Sequence, residues 1–243
     1  LFFFAVFNDL ATTEMYTRSI VGSVRSVSET VHGLPRFSED LDFSLVSPDG
    51  YAGRTWMTKL KRDLELAGFT PEITWNDRKS VHSGWIRLGG LLYEAGLSPL
   101  PAEKLAIKVE VDTRPPVGGQ CERRIVTRHL SFLLNYHDEA SLMAGKLHAL
   151  VARRYAKGRD WYDLIWYLSR RPPVMPNLTL LQNAMDQTQG PGRVDARDWM
   201  NLVRERLLTT DVTALRQDVS PFLEHPRDAD LITRENLLGL LDG

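Results

Sequence analysis

Apolar positions recur at helical spacing over residues 54–68. Trp56, Met57, Leu60 and Leu64 fall on one side of a helix, and Gly68 supplies its stop. Strand-like runs follow at 70–75 and 84–93, the second with Gly89-Gly90 as a bend or bulge. Residues 105–113 alternate strictly. Ile107, Val109 and Val111 point one way, and Lys108, Glu110 and Asp112 the other. The same period runs through Asp40-Leu-Asp-Phe-Ser-Leu45, where Leu41, Phe43 and Leu45 oppose Asp40 and Asp42. Pro115-Pro116-Val-Gly-Gly then breaks the chain. From about residue 137 the period becomes helical. It predicts helices over 138–156 and 160–170, closed by Pro172, Pro173 and Pro176, and further ones over 195–208, 211–224 and 228–241. Strands first and helices later predict an α+β fold. The division falls near 130–137, giving a core over 1–135 and a helical part over 136–243.

Residues 1–30 fit this scheme poorly. They open Leu-Phe-Phe-Phe-Ala-Val-Phe, a buried strand, a fragment boundary or a misread start. The run is far short of the ~20 apolar residues that cross a bilayer, so the chain reads as cytosolic, with no membrane partner.

Composition narrows the function classes. In 243 residues, 43% are hydrophobic and 25% charged, enough to build a core and to exclude disorder as the main state. Thirty basic residues against thirty-one acidic leave a net charge of −1, so nucleic-acid binding must rest on a local patch. A single cysteine, Cys121, excludes an internal disulfide framework and a cysteine-built zinc site. His32, His82, His129, His137, His148 and His225 lack metal-ligand spacing. Ser98 and Ser131 lack a nucleophile-elbow context, and neither a Walker loop nor a dinucleotide fingerprint is present.

The candidate chemistry is acidic on the strands and basic on the helices. On a strand, Asp40 and Asp42 project from one face. Two carboxylates that close repel unless a cation lies between them, an arrangement suited to the magnesium of phosphoryl or nucleotidyl transfer. A third carboxylate from the 105–113 strand, Glu110 or Asp112, would complete a two-metal set. On the 138–156 helix, Lys146 lies at the margin of the stripe Leu142, Met143, Leu147, Leu150, Val151, so it either snorkels or reaches into a site. Asp160, starting a new helix, reads as a residue at or near its N-cap. Asp163, among Trp161, Leu164, Ile165 and Trp166, needs a cationic partner, with Lys146, Arg153 and Arg159 as candidates. Residues 146–171 carry seven basic side chains against two acids, a local excess suited to a triphosphate or an RNA backbone.

Four segments occur in the order of a known family. They are Arg36-Phe-Ser38-Glu-Asp40-Leu-Asp42-Phe, Lys108-Val-Glu-Val, Lys146-Leu-His-Ala-Leu-x-Ala-Arg153 and Arg159-Asp160-x-Tyr-Asp163-Leu. Over roughly 31–170 the chain resembles the AbiEii/AbiGii toxins, minimal nucleotidyltransferases related to the polymerase-β superfamily. The resemblance implies a mixed nucleotidyltransferase sheet with helices, followed by a helical C-terminal part. It implies Mg-dependent transfer of a nucleoside monophosphate from a nucleoside triphosphate to an acceptor, tRNA in some members, and a cognate antitoxin partner. Asp40 and Asp42 would bind the catalytic magnesium; beside them Glu110 is our candidate to complete the metal site or to deprotonate the acceptor. Lys146 would contact the phosphates, with Asp163 near the same site and Ser38, Arg153 and Asp160 on the nucleotide. Gly22-Ser23 is the nearest match to the family's Gly-Ser phosphate turn, about two residues farther from Asp40 than the pattern has it. A protein acceptor, or an inactive relative that pairs with an antitoxin, are the alternatives.

Overall fold

The computed structural model describes residues 20–22, 28–29, 31–38, 40–127 and 131–242. They form two compact units. The first is made from residues 39–115 and 123–136 with the segment before 27, and the second from 27–38, 116–122 and 137–243. Together the elements give the mixed α+β architecture expected from the order of strands and helices.

The first unit is built on a sheet in the order β3-β4-β5-β2-β1-β7-β6. Its strands are β1 (Ile20–Gly22), β2 (Asp40–Leu45), β3 (Pro71–Asn76), β4 (Val81–Gly89), β5 (Lys104–Asp112), β6 (Cys121–Thr127) and β7 (Ser131–His137). β2 sits inside the sheet, parallel to β5 and antiparallel to β1. Its alternation holds: Leu41, Phe43 and Leu45 are buried, while Asp40, Asp42 and Ser44 are half-exposed. Val109 and Val111 of β5 and Ile86 and Leu88 of β4 are buried as well. Helix α1 (Gly53–Leu66) buries Trp56, Met57, Leu60 and Leu64, the stripe read from sequence. Its Met57 reaches Gly84 of β4, where a Cβ would stand 2.5 Å from the Thr74 carbonyl oxygen, so only glycine fits there. Gly84 is in register with Val109, and Val109 with Leu41. Helix α1 therefore covers the apolar face, and the acidic side chains of β2 and β5 lie on the opposite one.

The second unit is helical. It holds α3 (Glu139–Ala152), α4 (Gly158–Ser169), α5 (Leu178–Gln189), α6 (Trp199–Leu208), α7 (Val212–Val219) and α8 (Arg234–Asp242); the short α2 (Leu91–Glu94) belongs to the sheet unit. Side-chain caps open three of these helices, with Asp138, Asn177 and Asp211 accepting from Ser141, Leu180 and Thr213 backbone N–H groups. Helix α4 instead begins at Gly158, whose N–H donates to the Asp218 carboxylate at 2.7 Å. A Cβ on Gly158 would lie 2.1 Å from the Leu215 carbonyl oxygen of α7, so the two helices meet there at backbone distance. Trp161, Trp199 and the α1 residue Trp56 are all buried, as their apolar stripes predict.

Several boundaries differ from the sequence pattern. Residues 91–94 form a helical turn after Gly90, whose φ of 79° ends β4. Helix α3 stops at Ala152 because Arg153 is extended. Helix α5 follows Pro176 directly, since Asn177 caps a new helix where three prolines suggested a loop. Strand β6 does not alternate: Cys121 to Ile125 are all exposed, as an edge strand allows. Among the described residues no helix is long and apolar enough to cross a membrane.

Candidate active site

The register of β2 and β5 gathers the acidic residues of the sheet. Asp40 pairs with Lys108, Asp42 with Glu110 and Ser44 with Asp112. Paired residues share a face, so Asp40, Asp42, Lys108 and Glu110 form one patch at the centre of the sheet. Glu110 is thereby level with Asp42, a choice that periodicity alone left open. Asp112 lies one pair further on, and its carboxylate accepts the Arg114 N–H at 2.9 Å, closing the turn after the strand. Lys108 donates to Glu110 Oε1 at 2.7 Å. That hydrogen bond holds the Lys108 ammonium above its usual pKa against the opposing effect of burial, and Asp40 and Asp42 add to it.

The patch suits magnesium in a particular way. Among the described residues, no three of His, Cys, Asp and Glu gather closely enough to hold a metal ion. Magnesium, however, is commonly held by one or two carboxylates together with substrate phosphates. Asp40 and Asp42 on one face of a rigid strand supply that donor pair, with Glu110 on the next strand engaged by Lys108.

The second constellation lies wholly in the helical unit. Arg36 donates to both oxygens of Asp163, Nε to Oδ1 at 2.6 Å and Nη2 to Oδ2 at 2.9 Å. Its Nη1 donates to Glu29 at 2.8 Å and to the Phe37 carbonyl at 3.1 Å. Lys146 lies 2.6 Å from Asp163 Oδ2 and donates to Asp160 Oδ1 at 3.2 Å, and Arg153 donates to the other Asp160 oxygen. The chain of charges is Glu29–Arg36–Asp163–Lys146–Asp160–Arg153. The Arg36 side chain is 0% exposed and that of Asp163 1%. In so dry a place a bidentate guanidinium–carboxylate pair is strong, and removing either partner is costly.

This arrangement answers what the sequence posed. Lys146 is buried rather than snorkelling. Asp160 lies near the N-cap of α4, in the first turn after Lys157, and is bound by two cations. Of the partners proposed for Asp163, only Lys146 touches it. Arg153 goes to Asp160, and the Arg159 guanidinium stacks 4.1 Å from the Phe222 ring. The main partner of Asp163 is Arg36, 127 residues away. Arg36, Glu29 and Lys108 were not read as site residues. Arg36 had one usable signal: a cation in an otherwise apolar run, four residues before Asp40.

Ser38, two residues before Asp40, has a buried Oγ without a hydrogen-bond partner among the described residues. A buried hydroxyl left unsatisfied is costly, and a ligand oxygen there would relieve it. Gly22 ends β1 opposite Phe43, the neighbour of Asp42. Ser23, its companion in the expected phosphate turn, lies outside the described residues, as does His129.

Burial alone would raise the Asp163 carboxyl, but the charges and hydrogen bonds of Lys146 and Arg36 hold it below its usual range. Glu29 behaves oppositely. Burial pushes it up to about 7, outweighing the lowering by the Arg36 charge, and the Asp163 charge adds to the rise. Unfolded glutamate titrates near 4.3. Between these values the folded chain keeps a proton that the unfolded chain has lost, so this group makes stability fall as pH rises from about 4.5 to 7. Urea unfolding at pH 5 and pH 8 should show Glu29→Gln losing less stability across the window than wild type, by up to about 3 kcal/mol. Equal losses would show that Glu29 is ionised throughout.

Comparisons with known proteins give the family and the fold. The profile of a family described as "Nucleotidyl transferase AbiEii toxin, Type IV TA system" matches residues 28–234. No curated protein matches the sequence significantly. Among solved structures, a protein from H. pylori assigned as a nucleotidyltransferase has 16% identity, with 96% of this chain and 92% of that one covered and a TM-score of 0.51. MenT4, a nucleotidyltransferase toxin of Mycobacterium tuberculosis H37Rv, has 17% identity, with 92% and 84% covered and a TM-score of 0.43. The first of these likenesses places the chain in a nucleotidyltransferase fold.

Proposed function

Because the chain belongs to the AbiEii family of nucleotidyl transferase toxins of type IV toxin–antitoxin systems, it is a nucleotidyltransferase, and we propose that it moves a nucleoside monophosphate from a nucleoside triphosphate to tRNA in a magnesium-dependent reaction. The observation that carries this is the patch of Asp40, Asp42 and Glu110, set in register beside Lys108. The family also implies a cognate antitoxin as partner.

In this reading Asp40 and Asp42 would hold magnesium, with Glu110 as the third carboxylate of the patch. Magnesium bound there would neutralise charge on the attacking and leaving oxygens at the α-phosphorus. The acceptor hydroxyl gives its proton to water, its oxygen forms a new bond to that phosphorus, the bond to the bridging oxygen breaks, and pyrophosphate leaves. Lys146 has three N–H donors and spends two on Asp160 and Asp163, leaving one for a phosphate oxygen. Arg153 adds charge from the other side of Asp160, and the Ser38 hydroxyl supplies a neutral donor. Asp160 and Asp163 hold these cations in place.

The test is label transfer from each α-labelled nucleoside triphosphate with magnesium, with and without total tRNA. Label on RNA supports the reading and identifies the nucleotide. Label on protein supports a protein acceptor instead. No label in any reaction supports an inactive relative, and in that case magnesium nucleotide should also leave the melting temperature unmoved.

A further inference from the structure

We propose that the loop joining α3 to α4 is a stacking platform for an unpaired base of the acceptor, with Tyr155 as the stacking surface and Arg154 and Lys157 on the flanking phosphates. The proposal rests on the RNA reading above and extends it to the way the acceptor is held.

Three observations carry it. First, Tyr155 is 64% exposed on a loop whose sequence is Arg153-Arg-Tyr-Ala-Lys157. A single exposed apolar residue needs no explanation. This one is an aromatic among cations, with the Lys157 ammonium 5.8 Å from its ring centroid. Single-stranded RNA is held by that combination, a π-face for a base and positive charge for the backbone on either side.

Second, the loop is fixed at both ends. Arg206 Nη2 donates to the Arg153 carbonyl at 2.7 Å and to the Arg154 carbonyl at 3.1 Å. At the other end Gly158 is tied to Asp218 and pressed against the α7 backbone. A loop pinned in this way presents Tyr155 with little ordering left to do on binding, and a contact already ordered binds more tightly.

Third, the loop starts at the cations proposed above for the phosphates. Arg153, its first residue, is bound to Asp160, and Asp160 also accepts from Lys146. The loop's cations are Arg153, Arg154 and Lys157, and it contains no acid. Stacking on a tyrosine face tolerates any base, so the platform selects an unpaired end rather than a sequence.

The experiment uses the full chain and a fluorescent single-stranded oligoribonucleotide, with a blunt RNA duplex as control, read by anisotropy at several salt concentrations. Tyr155→Ala is expected to weaken single-strand binding five- to hundredfold, the range that follows from the loss of one stacked base. Tyr155→Phe should bind within about twofold of wild type, because the ring face is kept. Lys157→Gln should reduce the salt slope by about 0.7, one phosphate contact on a single strand. Both positions are on the pinned loop surface, so melting temperatures should stay level and loss of folding is excluded. Single-strand affinity unchanged in Tyr155→Ala overturns the proposal. So does an equal loss on the blunt duplex, and so does loss of label from a protein acceptor while RNA binding is intact. Label transfer addresses the reaction separately. If wild type labels no tRNA yet binds single strands through Tyr155, the transfer reading fails and the platform stands.

Discussion

Asp163→Ala is expected to destabilise the protein by about 3–5 kcal/mol, the usual cost of stranding buried charge. Arg36 and Lys146 would both lose their nearest carboxylate. Arg36 would be left with Glu29 and a carbonyl, and Lys146 with Asp160 alone. Against a total stability of about 5–15 kcal/mol this is a large fraction, visible as a lowered midpoint in urea at an unchanged m-value. A midpoint within a few tenths of a kcal/mol of wild type would show that the cluster is solvated. The cluster also separates stability from chemistry. Replacing buried ion sets by apolar side chains of similar volume is often neutral. The triple variant Arg36→Met, Lys146→Met, Asp163→Leu is therefore expected to recover most of the lost stability. It should not recover nucleotide transfer, because the ammonium assigned to the phosphates is gone. A triple variant that is stable and fully active would remove Lys146 from the reaction.

The two constellations were legible in the sequence to different degrees, and the reason is physical. Asp40, Asp42 and Glu110 lie on strands whose alternation writes the buried face into the local pattern, so Leu41, Phe43, Leu45, Val109 and Val111 mark the acids as their opposite. Only the register between β2 and β5 was missing, and a pairing between strands more than sixty residues apart has no local signature. The helical cluster is different. Lys146, Asp160 and Asp163 stand within eighteen residues of one another and could be grouped by helical period. Arg36 and Glu29 come from the segment before β2, and nothing in their own neighbourhood shows that Arg36 reaches Asp163 of α4. At the α4 start Asp160 falls in the first turn, near the cap position the sequence suggests, while Asp218 from α7 binds the Gly158 N–H and leaves Asp160 to the cations. Helix α5 was missed because three prolines outweighed a single capping asparagine in the local pattern.

Asp42→Asn is expected to lower transfer at least about 1,000-fold, and Asp40→Asn similarly. Stabilising charge at the phosphorus is worth several kcal/mol, and each 1.36 kcal/mol is tenfold in rate. Asparagine has nearly the shape of aspartate and the face is half-exposed, so the melting temperature should hardly move. The loss would then belong to the chemistry. Register makes the prediction sharper. Glu110 is level with Asp42 on the same face, whereas Asp112 is one pair further along and bound to the Arg114 N–H. Glu110→Gln should therefore reduce transfer severely, and Asp112→Asn should leave it near wild type. Chelation by EDTA should abolish transfer and added magnesium restore it in wild type, with no restoration in Asp42→Asn at the same concentration. If Asp112→Asn proves the damaging change and Glu110→Gln the harmless one, the third carboxylate has been assigned to the wrong residue. If Asp40→Asn and Asp42→Asn both keep full transfer, the β2 face is not where the reaction happens. Loss in Asp40→Asn, Asp42→Asn and Glu110→Gln, with Asp112→Asn spared, is the pattern that one face of two paired strands dictates.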